Sequence, residues 1–294
     1  MTAAHPTIAL IAGEASGDQL GAALVEKLRA RYPHARFVGI AGEKMKSAGV
    51  EAWWDAEELA VMGLFEVLSH LPRLVRLRRQ LVRRLLELQP DILIGIDAPD
   101  FNLGLEIKIR RAGIRTVQYV SPTVWAWREK RVRKIARAAD LVLCLFPFEP
   151  GFYREHDVAA AYVGHPLADQ ITPDDKPGAA RERLGLEPGR TTVALLPGSR
   201  HSEVSRLAEP VIEAARILSA QRPGIQFVAA MANKNVDAEF NAEMQRLGFT
   251  GIKRVRRDPR TVIAAGDAVI CASGTATLEV MLVNRPMVMT CLLY

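Results

Sequence analysis

The segment Ile8-Ala-Leu-Ile-Ala-Gly-Glu-Ala-Ser-Gly-Asp18 decides the fold of this chain. Its apolar half is typical of a buried strand, its glycines break that strand, and a helical pattern follows. The segment Val193-Ala-Leu-Leu-Pro-Gly-Ser-Arg-His-Ser-Glu203 has the same order about 185 residues later, with an arginine in the turn. A strand that enters a helix through such a turn presents backbone N–H groups and a positive dipole end to an anion. Two such turns predict two Rossmann-like domains that face each other across a cleft.

Strands and helices alternate through both halves of the chain, which predicts an α/β fold with parallel sheets covered on both faces. We expect the first domain over residues 1–167, a proline-rich linker over 168–190 and the second domain over 191–294. The second domain stops soon after a strand begins and lacks the last helices of a doubly wound domain, so we interpret it as incomplete. Predicted strands lie at 7–12, 36–40, 92–96, 115–120, 141–145, 160–163, 192–196, 226–230, 252–255, 268–271 and 287–289, and the clearest helices at 21–31 and 71–88.

The composition is that of an ordinary globular protein, with 49% apolar and 24% charged residues. No apolar stretch reaches the roughly 18–20 residues that span a bilayer, and no signal-peptide core precedes Asp18, so we expect a cytoplasmic protein. The net charge of +6 favours an anionic partner, which could be nucleic acid, a phosphorylated substrate or anionic lipid. Neither glycine turn has the G-x-G-x-x-G spacing of a dinucleotide site, so no nicotinamide cofactor is predicted. The three cysteines lie apart in apolar runs, which indicates buried thiols and no zinc site: Cys144, Cys271 and Cys291.

The segment GIDAPDFN (95–102) follows a strand that is apolar throughout. Ligands of open parallel sheets bind at the carboxyl ends of strands, so Asp97 is the candidate catalytic carboxylate. Asp100 is a second candidate, and the alternative for both residues is turn formation and helix capping, with Asp100 as the N-cap. The D-x-x-D spacing differs from the D-x-D of metal-dependent nucleotide-sugar enzymes, and we predict no metal site.

The segment SPTVWAWR (121–128) also follows a strand, and several Lys and Arg residues come directly after it. Apolar rings next to positive charge would suit a phosphorylated substrate that carries lipid. Core packing of Trp125 and Trp127 is the open alternative.

Residues 71–86 form an amphipathic helix with arginines on one side, among them Arg73, Arg76 and Arg83. The unusually apolar stretch 60–68 precedes it. The helix either covers the sheet with a solvated arginine face or anchors the protein on an anionic membrane, and we favour the membrane. Nucleic acid is disfavoured because no aromatic stacking platform accompanies the charge.

Two turns of the second half together describe a nucleotide-diphosphate site. In LPGSR (196–200) the backbone N–H groups and the Arg200 guanidinium suit a diphosphate. In SGTATLE (273–279) hydroxyl and N–H groups precede Glu279, whose carboxylate could accept both hydroxyls of a ribose. Helix capping is the alternative for each turn taken alone.

The motifs AGEASGD, GIDAPDFN, SPTVWAWR, LPGSR and SGTATLE, in this order, resemble the lipid A disaccharide synthase family across nearly the whole chain. The resemblance implies a glycosyltransferase of the two-Rossmann GT-B type that acts in the outer-membrane biogenesis of Gram-negative bacteria. It would transfer 2,3-diacylglucosamine from UDP to 2,3-diacylglucosamine 1-phosphate (lipid X) and need neither metal nor cofactor. It would attach peripherally to the cytoplasmic face of the inner membrane. Whether it forms a homodimer stays an open question. Family members continue beyond the point that corresponds to residue 294, which leaves the activity of this chain as an open question.

The resemblance also implies roles for individual residues. Asp97 would be the general base, and Arg200 would stabilise the departing UDP. The remaining donor-site residues are Gly198, Ser199, Glu203, Ser273, Gly274, Thr275 and Glu279. The residues expected to line the acceptor side are Ser16, Gly17, Asp18, Asp100, Asn102, Ser121, Trp125 and Trp127.

Two other hypotheses stay open beside this one. The chain could be an inactive domain pair that still binds nucleotide or lipid. It could also be another GT-B enzyme, such as a UDP-sugar epimerase or the lipid II glycosyltransferase, although GIDAPDFN and the tryptophan segment argue against that reading.

Overall fold

The computed structural model describes residues 5–59, 64–127, 129–171 and 177–290. The chain divides into two compact units, of which the first ends at Pro166 and the second begins at Leu167. Each unit is built around one parallel sheet, which confirms the predicted α/β class.

The first unit contains seven parallel strands in the order β3-β2-β1-β4-β5-β6-β7. The chain moves outward from β1 in one direction and then returns to add β4 on the other side of β1. This reversal is a topological switch point, at which open parallel sheets bind ligands outside the carboxyl ends of the strands. The strands are β1 (Thr7–Ala12), β2 (Arg36–Ala41), β3 (Glu51–Asp55), β4 (Ile92–Ile96), β5 (Arg115–Tyr119), β6 (Leu141–Cys144) and β7 (Ala160–Tyr162).

Helices cover both faces of this sheet because its strands are apolar on both sides. Leu10 packs with Val25 of the first helix on one face, whereas Ile11 packs with Leu81 and Leu105 on the other. The helices are α1 (Ala15–Arg31), α2 (Glu43–Ser47), α3 (Leu64–Leu88), α4 (Pro99–Arg111), α5 (Val124–Trp127), α6 (Val132–Ala138), α7 (Glu149–Arg154) and α8 (Pro166–Gln170), the last of which crosses the boundary between the units.

The second unit repeats this arrangement with five strands in the order β10-β9-β8-β11-β12, so its switch point lies between β8 and β11. The strands are β8 (Thr192–Leu196), β9 (Gln226–Met231), β10 (Ile252–Arg256), β11 (Ala268–Ala272) and β12 (Met287–Thr290). The helices are α9 (Pro177–Arg183), α10 (His201–Gln221), α11 (Lys234–Arg246), α12 (Pro259–Ala265) and α13 (Thr275–Leu282).

Every strand predicted from the sequence is present, but the prediction missed β3. This strand lies at the edge of the sheet, begins and ends with an acidic residue and is only half-buried, so it lacks an apolar run. The helices predicted at 21–31 and 71–88 begin earlier, at Ala15 and Leu64. Cys144 and Cys271 are buried, as predicted, whereas Cys291 lies outside the described residues.

The segment that the sequence assigns to a linker, 168–190, contains helix α9. Buried Arg181 of this helix forms an ion pair of 2.7 Å with Asp267 and donates to the carbonyl of Ala265. Helix α9 is therefore packed into the second unit.

Candidate active site

Asp97 lies at the switch point of the first unit, directly after β4. Its backbone is left-handed, with φ of 53°, and the next residue, Ala98, has φ of 42°. Two consecutive residues with side chains in this region cost on the order of 1–3 kcal/mol each, so the surrounding structure must hold them in place. Strain of this kind is concentrated at functional sites, which makes this turn the first candidate.

Two buried amide side chains hold the turn through its carbonyl groups. Asn102 Nδ2 donates to the Asp97 carbonyl at 2.9 Å, and Gln118 Nε2 donates to the same oxygen at 3.2 Å. The Asp97 N–H in turn donates to the carbonyl of Tyr119 at 2.8 Å. Asn102, which we expected to line the acceptor site, is fully buried and acts on the backbone of the turn. Sequence reasoning missed Gln118, because a single polar residue in a strand carries no motif.

The carboxyl group of Asp97 is only partly accessible. Burial raises the pKa of this carboxyl above its ordinary value, and the negative charge of Glu14 raises it further. A carboxylate with a raised pKa is a stronger base and accepts a proton more readily at neutral pH. The chemistry available at this turn is therefore general-base catalysis.

The turn after β1 lies against the Asp97 turn. A Cβ on Gly13 would be 2.9 Å from the Cβ of Ala98, so glycine permits the close approach. Asp18, by contrast, is buried and accepts from the backbone N–H groups of Gly42, Lys44 and Met45 at 2.9, 2.9 and 3.0 Å. Its carboxylate therefore caps α2. Ser16 and Gly17 lie in the first turn of α1.

The expectation that Asp100 is the N-cap of α4 is wrong. The N-cap is Ala98, because Pro99 with its fixed φ occupies the first helical position. Asp100 is exposed and forms an ion pair with Arg131.

The segment after β5 places aromatic rings at the same edge of the sheet. Ser121 is buried, and its Oγ lies 2.9 Å from the hydroxyl of Tyr153. Trp125 is 40% exposed and packs edge-to-face on Phe148, with ring centroids 4.9 Å apart. Phe146 stacks on Phe148, with ring centroids 5.9 Å apart.

Sequence reasoning missed both phenylalanines of this aromatic cluster, Phe146 and Phe148. The signal was available, because the sequence FPF follows strand β6 as the tryptophan segment follows β5. The side chain of Trp127 lies outside the described residues.

In the second unit, the backbone N–H groups of the turn after β8 already donate to a carboxylate of the protein. Glu203 Oε2 accepts from the N–H groups of Ser199 and Arg200 at 2.8 and 3.3 Å. Its other oxygen lies 3.7 Å from the Arg200 guanidinium. Gly198 has φ of 129°, and a Cβ there would come within 2.6 Å of Glu203, so glycine is required. Glu203 therefore caps the start of α10, and the Arg200 guanidinium beside it supplies the positive charge of this turn.

The turn after β11 is more open. Gly274 is the N-cap of α13, has φ of 146° and supplies no side chain to the first turn of the helix. A Cβ built on Gly274 would have no described atom within 4 Å beyond its chain neighbours, and Ser273, Gly274 and Thr275 are all exposed. Thr277 Oγ1 donates back to the Gly274 carbonyl at 2.6 Å. This helix N-terminus can accept an anion without displacing a protein carboxylate.

Helix α3 packs leucines into the core and exposes arginines on its other side. Leu77, Leu81 and Leu85 are buried in the core of the first unit. Arg73, Arg76 and Arg83 are all exposed; Arg73 forms an ion pair of 3.0 Å with Glu58, and Arg83 forms one of 3.8 Å with Glu87. Residues 60–63 and the side chains of 64–71, which include most of the apolar stretch, lie outside the described part of the chain. Among the described residues, no helix combines the length and apolar character that crossing a bilayer requires.

These two doubly wound units, each with a topological switch point, define a protein of the GT-B fold class. Solved structures with this fold agree. A UDP-GlcNAc 2-epimerase from Neisseria meningitidis, solved with UDP-GlcNAc, has a TM-score of 0.65 at 10% identity and matches 97% of this chain and 82% of its own. The glycotransferase of kitacinnamycin has a TM-score of 0.63 at 15% identity, and the match covers 98% of this chain and 81% of that protein. At these identities the likeness concerns the fold alone.

The sequence comparison identifies the family. A family model described as Lipid-A-disaccharide synthetase matches residues 8–293, so the chain belongs to this family. A lipid-A-disaccharide synthase from Xanthomonas campestris pv. campestris (strain 8004) is 53% identical over 285 residues, which are 96% of this chain and 65% of that protein. A relative from Xylella fastidiosa (strain M12) with the same name is 51% identical over 96% of this chain and 74% of its own length. The chain thus spans 65% of the length of the Xanthomonas relative.

Proposed function

We propose that this chain carries the catalytic residues of a lipid A disaccharide synthase. The reaction is transfer of 2,3-diacylglucosamine from UDP to 2,3-diacylglucosamine 1-phosphate (lipid X), which gives a β-1,6-linked disaccharide 1-phosphate and UDP. Membership of the family over residues 8–293 is the observation that carries this proposal. The strained, partly buried carboxylate at the switch point of the first unit supports it independently.

In this reaction Asp97 accepts the proton of the acceptor hydroxyl, while the oxygen of that hydroxyl attacks the anomeric carbon of the donor. The bond between that carbon and the UDP oxygen breaks, and UDP leaves with the electron pair. The raised pKa of Asp97 favours the proton transfer. Loss of a positioned general base lowers the rate of such reactions by about 10²–10⁴.

The second unit would hold UDP. The open N-terminus of α13, at Ser273, Gly274 and Thr275, is suited to a phosphate, and Glu279 follows on the same helix. The Arg200 guanidinium would neutralise the charge that develops on the leaving diphosphate. Glu203 would then serve as the residue that fixes the Arg200 turn.

The aromatic cluster of Trp125, Phe146 and Phe148 would contact acyl chains of the acceptor. The rings are exposed, and Trp125 and Phe146 each contact Phe148. They follow β5 and β6, and β5 is next to β4, the strand that precedes Asp97. Exposed apolar surface of this kind marks a ligand or membrane contact. The arginines of α3 would bind the anionic cytoplasmic face of the inner membrane, which keeps the enzyme near its lipid substrates.

A second candidate is a domain pair that binds nucleotide or lipid without turnover. The observation in its favour is that the exposed N-terminus of α13 can accept a phosphate whether or not a transfer follows. One assay separates the two: UDP release and disaccharide formation from UDP-2,3-diacylglucosamine with and without lipid X. If the chain is a synthase, UDP and disaccharide should both form, and only when lipid X is present. UDP binding without either product would support the second candidate, and interconversion of UDP-GlcNAc to its 2-epimer would instead indicate an epimerase.

A further inference from the structure

Three buried polar side chains converge beneath the Asp97 turn, on the face of the sheet that α4 covers. They are Asn102 and Glu106, one turn apart on α4, and Gln118 of β5, and all three are fully buried. A Cβ on Gly95 would lie 2.2 Å from Glu106 Oε1 and 3.1 Å from Asn102 Cγ, so both side chains end against this glycine. Gln118 is the register partner of Gly95 on the neighbouring strand.

The hydrogen bonds of this cluster are incomplete in a specific way. The amide nitrogens of Asn102 and Gln118 donate to the Asp97 carbonyl and its neighbours. Within the described part of the chain, the two amide oxygens and both oxygens of Glu106 have no partner. All of these unpaired atoms are acceptors, so the cluster lacks donors. The amides cannot be turned round to supply them, because their oxygens would then face the backbone carbonyls of the turn.

We propose that Glu106 is a positioning residue, a neutral carboxylic acid whose proton is donated to an amide oxygen of Asn102 or Gln118. This hydrogen bond fixes the amides in the orientation in which their N–H groups hold the left-handed turn at Asp97. The inference rests on the proposed role of Asp97 as the general base, and Glu106 itself touches no substrate.

The charges around Glu106 agree with the neutral form. The elements packed on α4 place Arg78 of α3 and Lys134 of α6 on this side, and Lys134 favours the carboxylate. Burial outweighs that attraction and raises the pKa of Glu106 to about 8. Burial and the neighbouring Arg131 and Arg78 lower the pKa of Lys134. An ionised Glu106 would add another acceptor to a cluster that already has too many.

The first test compares Glu106→Gln, which keeps a donor, with Glu106→Leu, which does not, in the protein as the organism produces it. We expect Glu106→Gln to retain kcat within about threefold and Glu106→Leu to lose about 10- to 100-fold, because small displacements of a catalytic group have effects of this size. KM should change little in both. Thr116→Val is the matched control: Thr116 is buried on the same face of β5, but its hydroxyl donates to the carbonyl of Ala138, away from the turn. This control should lower thermal stability and leave kcat unchanged.

The pH profile gives a readout that a packing role would not move. Wild-type kcat should fall as pH rises past about 8, where Glu106 ionises, and Glu106→Gln should lack this decline. A second readout does not depend on activity. The pKa of the Asp97 carboxyl group is measured by 13C NMR titration, and its signal is assigned from its absence in Asp97→Asn. In Glu106→Leu the turn should relax toward water, and the Asp97 pKa should fall toward the ordinary value of about 3.9.

The outcomes separate this inference from the proposed function. Folded Glu106→Leu protein with wild-type kcat, Glu106→Gln as impaired as Glu106→Leu, or an Asp97 pKa that does not respond would each overturn the positioning role. Wild-type protein that forms no disaccharide, but whose Asp97 pKa falls in Glu106→Leu, would overturn the proposed reaction and leave the positioning role supported.

Discussion

The side-chain amide of Asn102 donates a hydrogen bond of 2.9 Å to the backbone carbonyl of Asp97, so the turn is held without using the Asp97 carboxyl group. Gln118 adds a bond of 3.2 Å to the same oxygen. Position and chemistry are therefore separable at this residue: a substitution of the side chain can remove the base while the backbone keeps its place. The first prediction depends on this separation.

Asp97→Asn should lower turnover by about 10²–10⁴ and leave UDP affinity unchanged, because the amide cannot accept the proton but fits the same space. In the wild type, kcat/KM should fall as pH drops through the Asp97 pKa. This acid limb should lie at a higher pH than an exposed aspartate would give, since burial and Glu14 raise that pKa. Steady-state kinetics across pH and calorimetry with UDP make the measurement. A variant that keeps more than about a tenth of the activity would remove Asp97 from the role.

Arg200→Ala should weaken UDP binding and slow turnover together, each by about 10- to 100-fold, because a hydrogen bond to a charged group contributes roughly 1.5–3 kcal/mol. Arg206→Ala is the matched control, since Arg206 is an exposed arginine further along the same helix. Calorimetry with UDP and the transfer assay should show no effect of the control. Equal affinities and rates for both variants would exclude the contact with the diphosphate.

Much of this fold could be predicted from the sequence because several interior strands of both sheets, such as β1, β4 and β8, are apolar runs that end at a glycine or proline turn. The edge strand β3 could not, since Glu51 and Asp55 make it polar at both ends. The position of Asp97 at the carboxyl end of a buried strand could be predicted, and its role in catalysis stays a prediction. The roles of Asp18 and Asn102 could not, because a polar residue in a motif can serve the backbone as well as a ligand, and only the contacts distinguish the two.

The buried carboxylate of Asp18 gives a prediction about stability. Asp18→Ala leaves three backbone N–H groups near the start of α2 without their acceptor. An unsatisfied buried group costs about 1–3 kcal/mol, so the free energy of unfolding should fall by at least that amount. Glu26→Ala, at an exposed position of α1, the helix that carries Asp18, should change the free energy of unfolding by less than about 0.5 kcal/mol. Denaturant titration decides the matter, and equal stabilities of the two variants would contradict the capping role.

Phe148→Ala should raise KM for the acylated acceptor by about 4- to 15-fold. Complete burial of such a side chain contributes roughly 1.5–3 kcal/mol, and about half of that is available because Phe148 is 54% exposed without ligand. The effect should be smaller for an acceptor with shortened acyl chains, and UDP affinity should not change. Tyr32→Ala is the control, an exposed aromatic residue just after α1, away from the carboxyl ends of the strands. If the shortened acceptor loses as much as the long one, the cluster does not contact acyl chains.

The last prediction concerns the arginine face of α3. If this face docks on lipid, the protein should sediment with phosphatidylglycerol vesicles at low salt and be released at high salt. Each arginine near the surface adds about 1 kcal/mol, and the attraction decays over a Debye length of roughly 8 Å at physiological salt.

Changing Arg73, Arg76 and Arg83 together to Gln should therefore release the protein from the vesicles without unfolding it. The fold survives because Leu77, Leu81 and Leu85 keep the helix in the core, and the ion pair between Arg73 and Glu58 is exposed and contributes little. The control is Arg183, Arg206 and Arg222 changed to Gln, which removes the same charge from exposed positions of the second unit. If both triple variants dissociate from the vesicles, the binding depends on net charge and not on the arginine face of α3. Wild-type protein that stays in the supernatant at either salt concentration, while folded by circular dichroism, would show that the arginines of α3 serve only to solvate the helix.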